Sequence, residues 1–111
     1  MKLKTAVLAS ALAWVAMSAI AVDAPKYDVL TLPAVPSKLA SKSLIYSINK
    51  FGDRHFATGH HGHILFSDDG GETWQQATVP VRSAILDITF PTPELGWAVG
   101  HEGVILHSSD G

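Results

Sequence analysis

Three of the chain's six histidines, His60, His61 and His63, fall close together, a grouping that invites a metal. Zinc takes three or four N, O or S ligands in a tetrahedron. Histidines this close on one loop rarely present three nitrogens to one ion, and in a strand only His61 and His63 would share a face. They read as polar positions between strands, and no metal or other cofactor is expected. Asp68, Asp69 and Glu72 lack the alternating ligand ladder of a calcium loop. A glycosidase needs paired carboxylates at a defined separation. Asp87, Glu94 and Glu102 are available in name only; Asp87 sits in Ile85-Leu86-Asp87-Ile88, where its carboxylate would point inward. Gly59-x-x-Gly62 precedes a strand, so no helix N-terminus is at hand for a phosphate. No nucleophile elbow supports a Ser-His-Asp arrangement. Cysteine is absent, which removes thiolate ligands, cysteine nucleophiles and disulfides together. No catalytic residue is assigned.

The residues with the most specific pattern do structural chemistry. Ser67-Asp68-Asp69-Gly70-Gly71-Glu72-Thr73-Trp74 places Ser, Asp, Gly, Thr and Trp at fixed spacing. The Asp69 carboxylate can accept bonds from backbone N–H groups just after it, closing an Asx turn. Gly70 and Gly71 can take the positive φ values of a tight hairpin. Ser67 can tie the incoming strand to the turn. Thr73 suits a strand start, and Trp74 can fold over the apolar side of the hairpin. Ser108-Ser109-Asp110-Gly111 begins a second copy.

The elements that hold these residues are short strands separated by glycine-rich turns. Leu44–Lys50, His55–Gly59, Ile64–Ser67 and Trp74–Ala77 are the predicted strands of a first unit, and no stretch from Leu44 onward has a helical period. Residues 57–70 then recur 41 positions later, with 9 identities in 14 positions, including Gly59 with Gly100, His60 with His101 and Asp69 with Asp110. Upstream, Leu44-Ile45 aligns with Ile85-Leu86. A period near 40 with about four strands per unit is that of a propeller blade. The fold class is therefore all-β, a β-propeller of four-stranded antiparallel blades, present as about one and a half blades of a longer protein. Ile45, Ile48, Phe56, Ile64, Trp74, Ile85, Ile88, Trp97, Val99 and Ile105 are the expected core.

The N-terminus reads as an address. Lys2 and Lys4 precede a nearly uninterrupted apolar run from Ala6 to Ala21, which ends Ala19-Ile20-Ala21. That is the form of a secretory signal peptide, predicted as a helix over 1–21 with cleavage after Ala21, which makes the protein periplasmic or secreted. Residues 22–43, with Pro25, Pro33 and Pro36, form an extended lead-in; Tyr27-Asp28-Val29-Leu30 could pair as an edge strand. Blades 1 and 2 occupy 44–111. Cleavage leaves 6 basic residues against 10 acidic ones, so nucleic acid is a poor partner, and the mature chain has no spanning segment.

Ser67, Asp69, Gly71, Thr73 and Trp74 together match the Asp-box, also called the bacterial neuraminidase repeat, and Ser108 and Asp110 its second copy. The stretch from Ala57 to Trp74 with Val79-Pro80-Val81, and then Gly96 to His107, resembles the bacterial branch of the photosystem II stability/assembly factor-like propellers. The resemblance implies a non-catalytic exported scaffold. It would bind protein partners, a membrane complex on its extracytoplasmic side, and assist assembly as in photosynthesis. The alternative that Asp-boxes imply is an exported glycoside hydrolase of the sialidase type. Such an enzyme needs an arginine cluster, whereas only Arg54 and Arg82 are present.

Overall fold

The computed structural model describes residues 27–111. The signal segment over 1–21, its cleavage after Ala21 and the first residues of the lead-in lie outside the described residues. The described chain is all-β. Strands β1 (Ile45–Phe51), β2 (Arg54–Gly59), β3 (Ile64–Ser67) and β4 (Gln75–Gln76) form one antiparallel sheet in sequence order. Strands β5 (Ile85–Thr89), β6 (Gly96–Gly100) and β7 (Ile105–Ser108) form a second antiparallel sheet, again in sequence order. No α-helix occurs among the described residues. These are blades of the propeller type, meanders of short strands joined by tight turns.

The register shows that the repeat has two offsets. Ile45 pairs with Gly59 and Ile85 with Gly100, so the first strand of each blade recurs after 40 residues and the second after 41. Ile48 opposite Ala57 thus corresponds to Ile88 opposite Ala98. The alignment of Leu44-Ile45 with Ile85-Leu86 is corrected by one position; the extra residue lies in the turn between β5 and β6. Both first strands carry an irregularity at the same place, between Ile45 and Ser47 and between Ile85 and Asp87.

The sheets stack face to face. Alternation sends Phe56 and Ile64 from the first sheet toward Ile85, Ile88 and Ala98 of the second, with Val79, Val81, Phe90 and Val104 closing the same buried cluster. Phe56 and Phe90 stack with ring centroids 4.5 Å apart. The opposite face of the first sheet holds a smaller cluster, Ala40, Ala57 and Leu65, against which Ile45 and Trp74 pack.

Equivalent positions therefore have opposite fates in the two sheets. Phe56, Thr58 and Ile64 are 3%, 0% and 7% exposed, while Trp97, Val99 and Ile105 are 42%, 45% and 73% exposed. Those three, with the exposed Ile48, do not form the core expected of them. The sequence pattern repeats, but among the described residues a neighbouring sheet covers the face it builds only in the first blade. Ala40, Ala57, Leu65, Val79, Val81, Phe90, Ala98 and Val104 supply the rest of the core.

The lead-in packs against the first blade by single bonds. Residues 28–32 form a turn closed on the Asp28 carbonyl, not an edge strand, although the Arg82 N–H donates to the Val29 carbonyl at 2.7 Å. The Ala34 N–H donates to the Val79 carbonyl at 2.9 Å, and Ala40–Lys42 is a 3-10 turn inside the segment expected to be extended.

Candidate functional site

The turn between β3 and β4 is built by its side chains. Ser67, buried at the end of β3, donates from Oγ to Asp69 Oδ1 at 2.7 Å and accepts from the Gly71 N–H at 2.8 Å. Asp69 Oδ1 and Oδ2 accept from the Thr73 N–H at 2.9 and 3.1 Å, and the Thr73 hydroxyl donates to Oδ2. The Trp74 Nε1–H donates to the Gly71 carbonyl at 3.0 Å, which fixes the indole over the Ala57 and Leu65 cluster. Gly70 and Gly71 have φ of 77° and 92°, where a side chain would be strained.

Two details differ from what the sequence suggests. The N–H two residues after Asp69 goes to Ser67, and Asp69 instead reaches Thr73. Thr73 acts through its hydroxyl and N–H, and pairing begins only at Gln75. The charge-assisted bonds from Thr73, hydroxyl first and then N–H, with that of Ser67, hold the Asp69 carboxyl at about 2. Both of its oxygens are engaged, so its chemistry is that of a pin. In the second copy, Ser108 Oγ donates to Asp110 Oδ1 at 3.0 Å, reproducing the Ser67–Asp69 bond.

Sequence reasoning missed Arg54. At the start of β2 it grips Asp68 with two parallel bonds, Nε to Oδ1 at 2.7 Å and Nη2 to Oδ2 at 2.9 Å. Its guanidinium lies 4.6 Å over the Phe66 ring. Its Nη1 donates to the Gly111 carbonyl at 2.6 Å, so one side chain links the turn of the first blade to that of the second. The pairing depresses the Asp68 carboxyl and raises the guanidinium. The signal was in the register: Arg54 precedes His55, which pairs with Ser67.

The three neighbouring histidines stay close, with ring centroids 5.2 Å apart for His60 and His61 and 6.0 Å for His61 and His63. Among the described residues no group of three or more His, Cys, Asp or Glu side chains could hold a metal. His61 is not in a strand; it stands at φ 58° in a 3-10 turn, so it and His63 do not share a strand face. His63 is buried, 3.4 Å from Ser43 Oγ and facing the Val35 backbone, and burial lowers its imidazole pKa. The feature that repeats at His60 and His101 is the backbone N–H, which donates to the Leu44 carbonyl at 3.1 Å and to the Ala84 carbonyl at 2.9 Å. Both rings lie beside Tyr46, at 5.6 and 6.5 Å between centroids.

The three carboxylates considered for hydrolysis do not converge. Asp87 accepts from the Ile88 N–H at 2.9 Å and from Asn49 Nδ2 of the first sheet at 2.8 Å, which together lower its pKa. It is a bridge between blades. Glu102 accepts from the Ser83 hydroxyl, and the Glu94 carbonyl holds the Gly111 N–H at 3.0 Å.

The family model described as Photosynthesis system II assembly factor YCF48 matches residues 13–109. A photosystem II assembly protein Ycf48 of Synechococcus sp. is 48% identical over 40 residues, which is 34% of this chain and 12% of the relative. A photosystem II assembly lipoprotein Ycf48 of Synechocystis sp. is 32% identical over 53 residues, 46% of this chain and 16% of the relative. The alignments thus take in only 12 to 16% of those relatives' lengths. No solved structure matches the chain. The family match covers most of the sequence, including both blades and the Asp-box turn that pins the first, so the chain belongs to the photosystem II assembly factor YCF48 family.

Proposed function

We propose that the protein is a non-catalytic, exported scaffold that binds other proteins while a membrane complex is assembled, photosystem II or a counterpart of it. The observation that carries this reading is the family match across residues 13–109, supported by relatives whose names are those of assembly proteins. The geometry agrees with a binding role. Two stacked sheets with interlocked aromatic cores make a rigid base, and the turns at their ends are free to vary as contact surfaces. Under this reading the Asp-box residues Ser67, Asp69, Gly71, Thr73 and Trp74, with Ser108 and Asp110, hold the blades and do not touch the partner. Export follows from the signal segment over 1–21, with a periplasmic or equivalent destination on the extracytoplasmic side. The lipoprotein named among the relatives is in keeping with an envelope location. No helix among the described residues is long and apolar enough to cross a membrane.

The test is capture of the tagged protein, expressed from its own gene, from detergent-solubilised membranes. Recovery of subunits of one membrane complex, with less assembled complex on native gels in a deletion strain, is the expected result. Normal complex levels in the deletion strain, or hydrolysis of a fluorogenic sialoside by the purified protein, would overturn it.

A further inference from the structure

A cavity lies between the lead-in and the first blade, and all its walls come from residues 27–82. It has about 300 Å³ of space between Tyr27, Val35 and Ser37 of the lead-in, His61 and His63 of the turn between β2 and β3, and Arg82 ahead of β5. The lead-in wall is fixed to the first sheet. The Ala34 N–H donates to the Val79 carbonyl at 2.9 Å. Gln76 of β4 bonds on either side of that point: its Nε2 donates to the Val35 carbonyl at 3.1 Å, and its Oε1 accepts from the Ser37 N–H at 3.0 Å.

Arg82 is positioned there without being neutralised. Its Nε donates to the Pro33 carbonyl at 2.7 Å, and its guanidinium lies 5.9 Å from the centre of the Tyr27 ring. No carboxylate lines the cavity, and among the described residues none stands within ion-pair distance of Arg82. The contrast is with Arg54, whose fork is taken by Asp68. In Arg82 both Nη groups remain for an acceptor from outside the chain. Ser37 Oγ accepts from the Leu39 N–H at 3.1 Å, which leaves its own proton to donate. The His61 imidazole, held at φ 58°, is a further donor on the wall. Val35 and the Tyr27 ring supply the apolar lining. With one permanent positive charge and no helix N-terminus, the lining matches a single negative charge better than the double charge of a phosphate ester. The planar fork of the guanidinium matches the two oxygens of a carboxylate.

We propose that this cavity binds a small monocarboxylate, its oxygens on the Arg82 Nη groups with Ser37 and His61 as neighbouring donors, and its short aliphatic part against Val35 and Tyr27. A ligand held this way bonds the lead-in and the blade at once, so occupancy tightens the lead-in onto the first sheet. The site needs no second protein and is separate from the partner-binding role proposed above.

The probe is butyrate, titrated near neutral pH and at low ionic strength into the full-length protein isotopically labelled at arginine, and read by nuclear magnetic resonance. A saturable shift of the Arg82 Nε–H resonance is expected, with slower exchange of the Ala34 amide at saturation. Butyramide, which has the same shape and no charge, should bind at least about tenfold more weakly. Val35→Asp brings a carboxylate of the chain's own to the cavity and should weaken butyrate about tenfold or more, whereas the uncharged Val35→Asn should leave it within about threefold. Arg82→Lys keeps the charge, loses the fork and should also weaken binding. No saturable shift at tens of millimolar butyrate would overturn the proposal. So would equal binding of butyramide, equal effects of Val35→Asp and Val35→Asn, or inorganic phosphate binding as tightly as butyrate.

Discussion

Ile64 and Ile105 are the same residue at the same position of two successive blades, and they are predicted to differ sharply in what they contribute. Ile64 is 7% exposed and faces the second sheet; Ile105 is 73% exposed on the outer face. Burying an isoleucine side chain fully is worth about 1.5–3 kcal/mol, so the burial of Ile64 accounts for nearly all of that and the burial of Ile105 for about a quarter, below roughly 0.8 kcal/mol. Truncation of Ile64 also opens a cavity, which brings the cost of Ile64→Ala to about 3 kcal/mol. Truncation of Ile105 opens none, because solvent already reaches it. A domain of this size has roughly 4–13 kcal/mol of total stability, so the first variant loses a large share of it. Urea unfolding followed by far-ultraviolet circular dichroism measures both at equal m. In thermal melts Ile64→Ala should fall by roughly 12–24 °C and Ile105→Ala by less than about 6 °C. Equal losses would refute the assignment of faces. Equal and large losses at high protein concentration alone would mean that a second copy covers Ile105.

Three further outcomes follow from named contacts. The Asp69 carboxyl, held at about 2, lies below its unfolded value of about 3.9, so its stabilising contribution is complete above pH 4 and is lost as pH falls toward 2. Asp69→Asn should flatten the fall of the urea midpoint between pH 4 and pH 2, with Asp68 and Asp87 supplying the slope that remains. A methyl group on Gly62 would meet the Val81 carbonyl oxygen at 2.1 Å, whereas one on Gly103 meets nothing within 4 Å, although both have φ near 75°. Gly103→Ala should therefore cost only the backbone strain of about 1–2 kcal/mol, and Gly62→Ala clearly more, by the same urea assay. Neutral His63 packs beneath the lead-in, and its folded pKa is lowered, so that packing is complete above about pH 6.5 and is lost as pH falls through the lower folded value. The protection factors of the Ala34 and Ser43 amides, referred to the intrinsic exchange rate at each pH, should fall on acidification below pH 6, and His63→Gln should remove that fall.

Much of this architecture was legible because the determining interactions are local. A serine, an aspartate, two glycines and a threonine close the Ser67–Trp74 turn among themselves, so their spacing alone announces it. The strands were legible for the same reason, with limits displaced by a residue or two where pairing outlasts the apolar pattern, as at Phe51 and Arg54. Partnership between distant residues was not legible. Trp97, Val99 and Ile105 have the pattern of a buried face, and only the arrangement of sheets decides whether that face is covered. The 40-residue offset of the first strands was hidden by a one-residue difference in the following turn, which only cross-strand register reveals. Arg54, Asn49 and Asp87 bridge elements far apart in sequence, so no local signal marks them.

Two blades share one cross-strand register, and nuclear Overhauser contacts across the strands measure it directly. Cross-strand contacts of Ile48 with Ala57 and of Ile88 with Ala98, with ring contacts between Phe56 and Phe90 joining the sheets, are the result expected. Contacts of Leu86 with Ala98 in place of Ile88, or a second blade with no counterpart of the first blade's pairs, would contradict it.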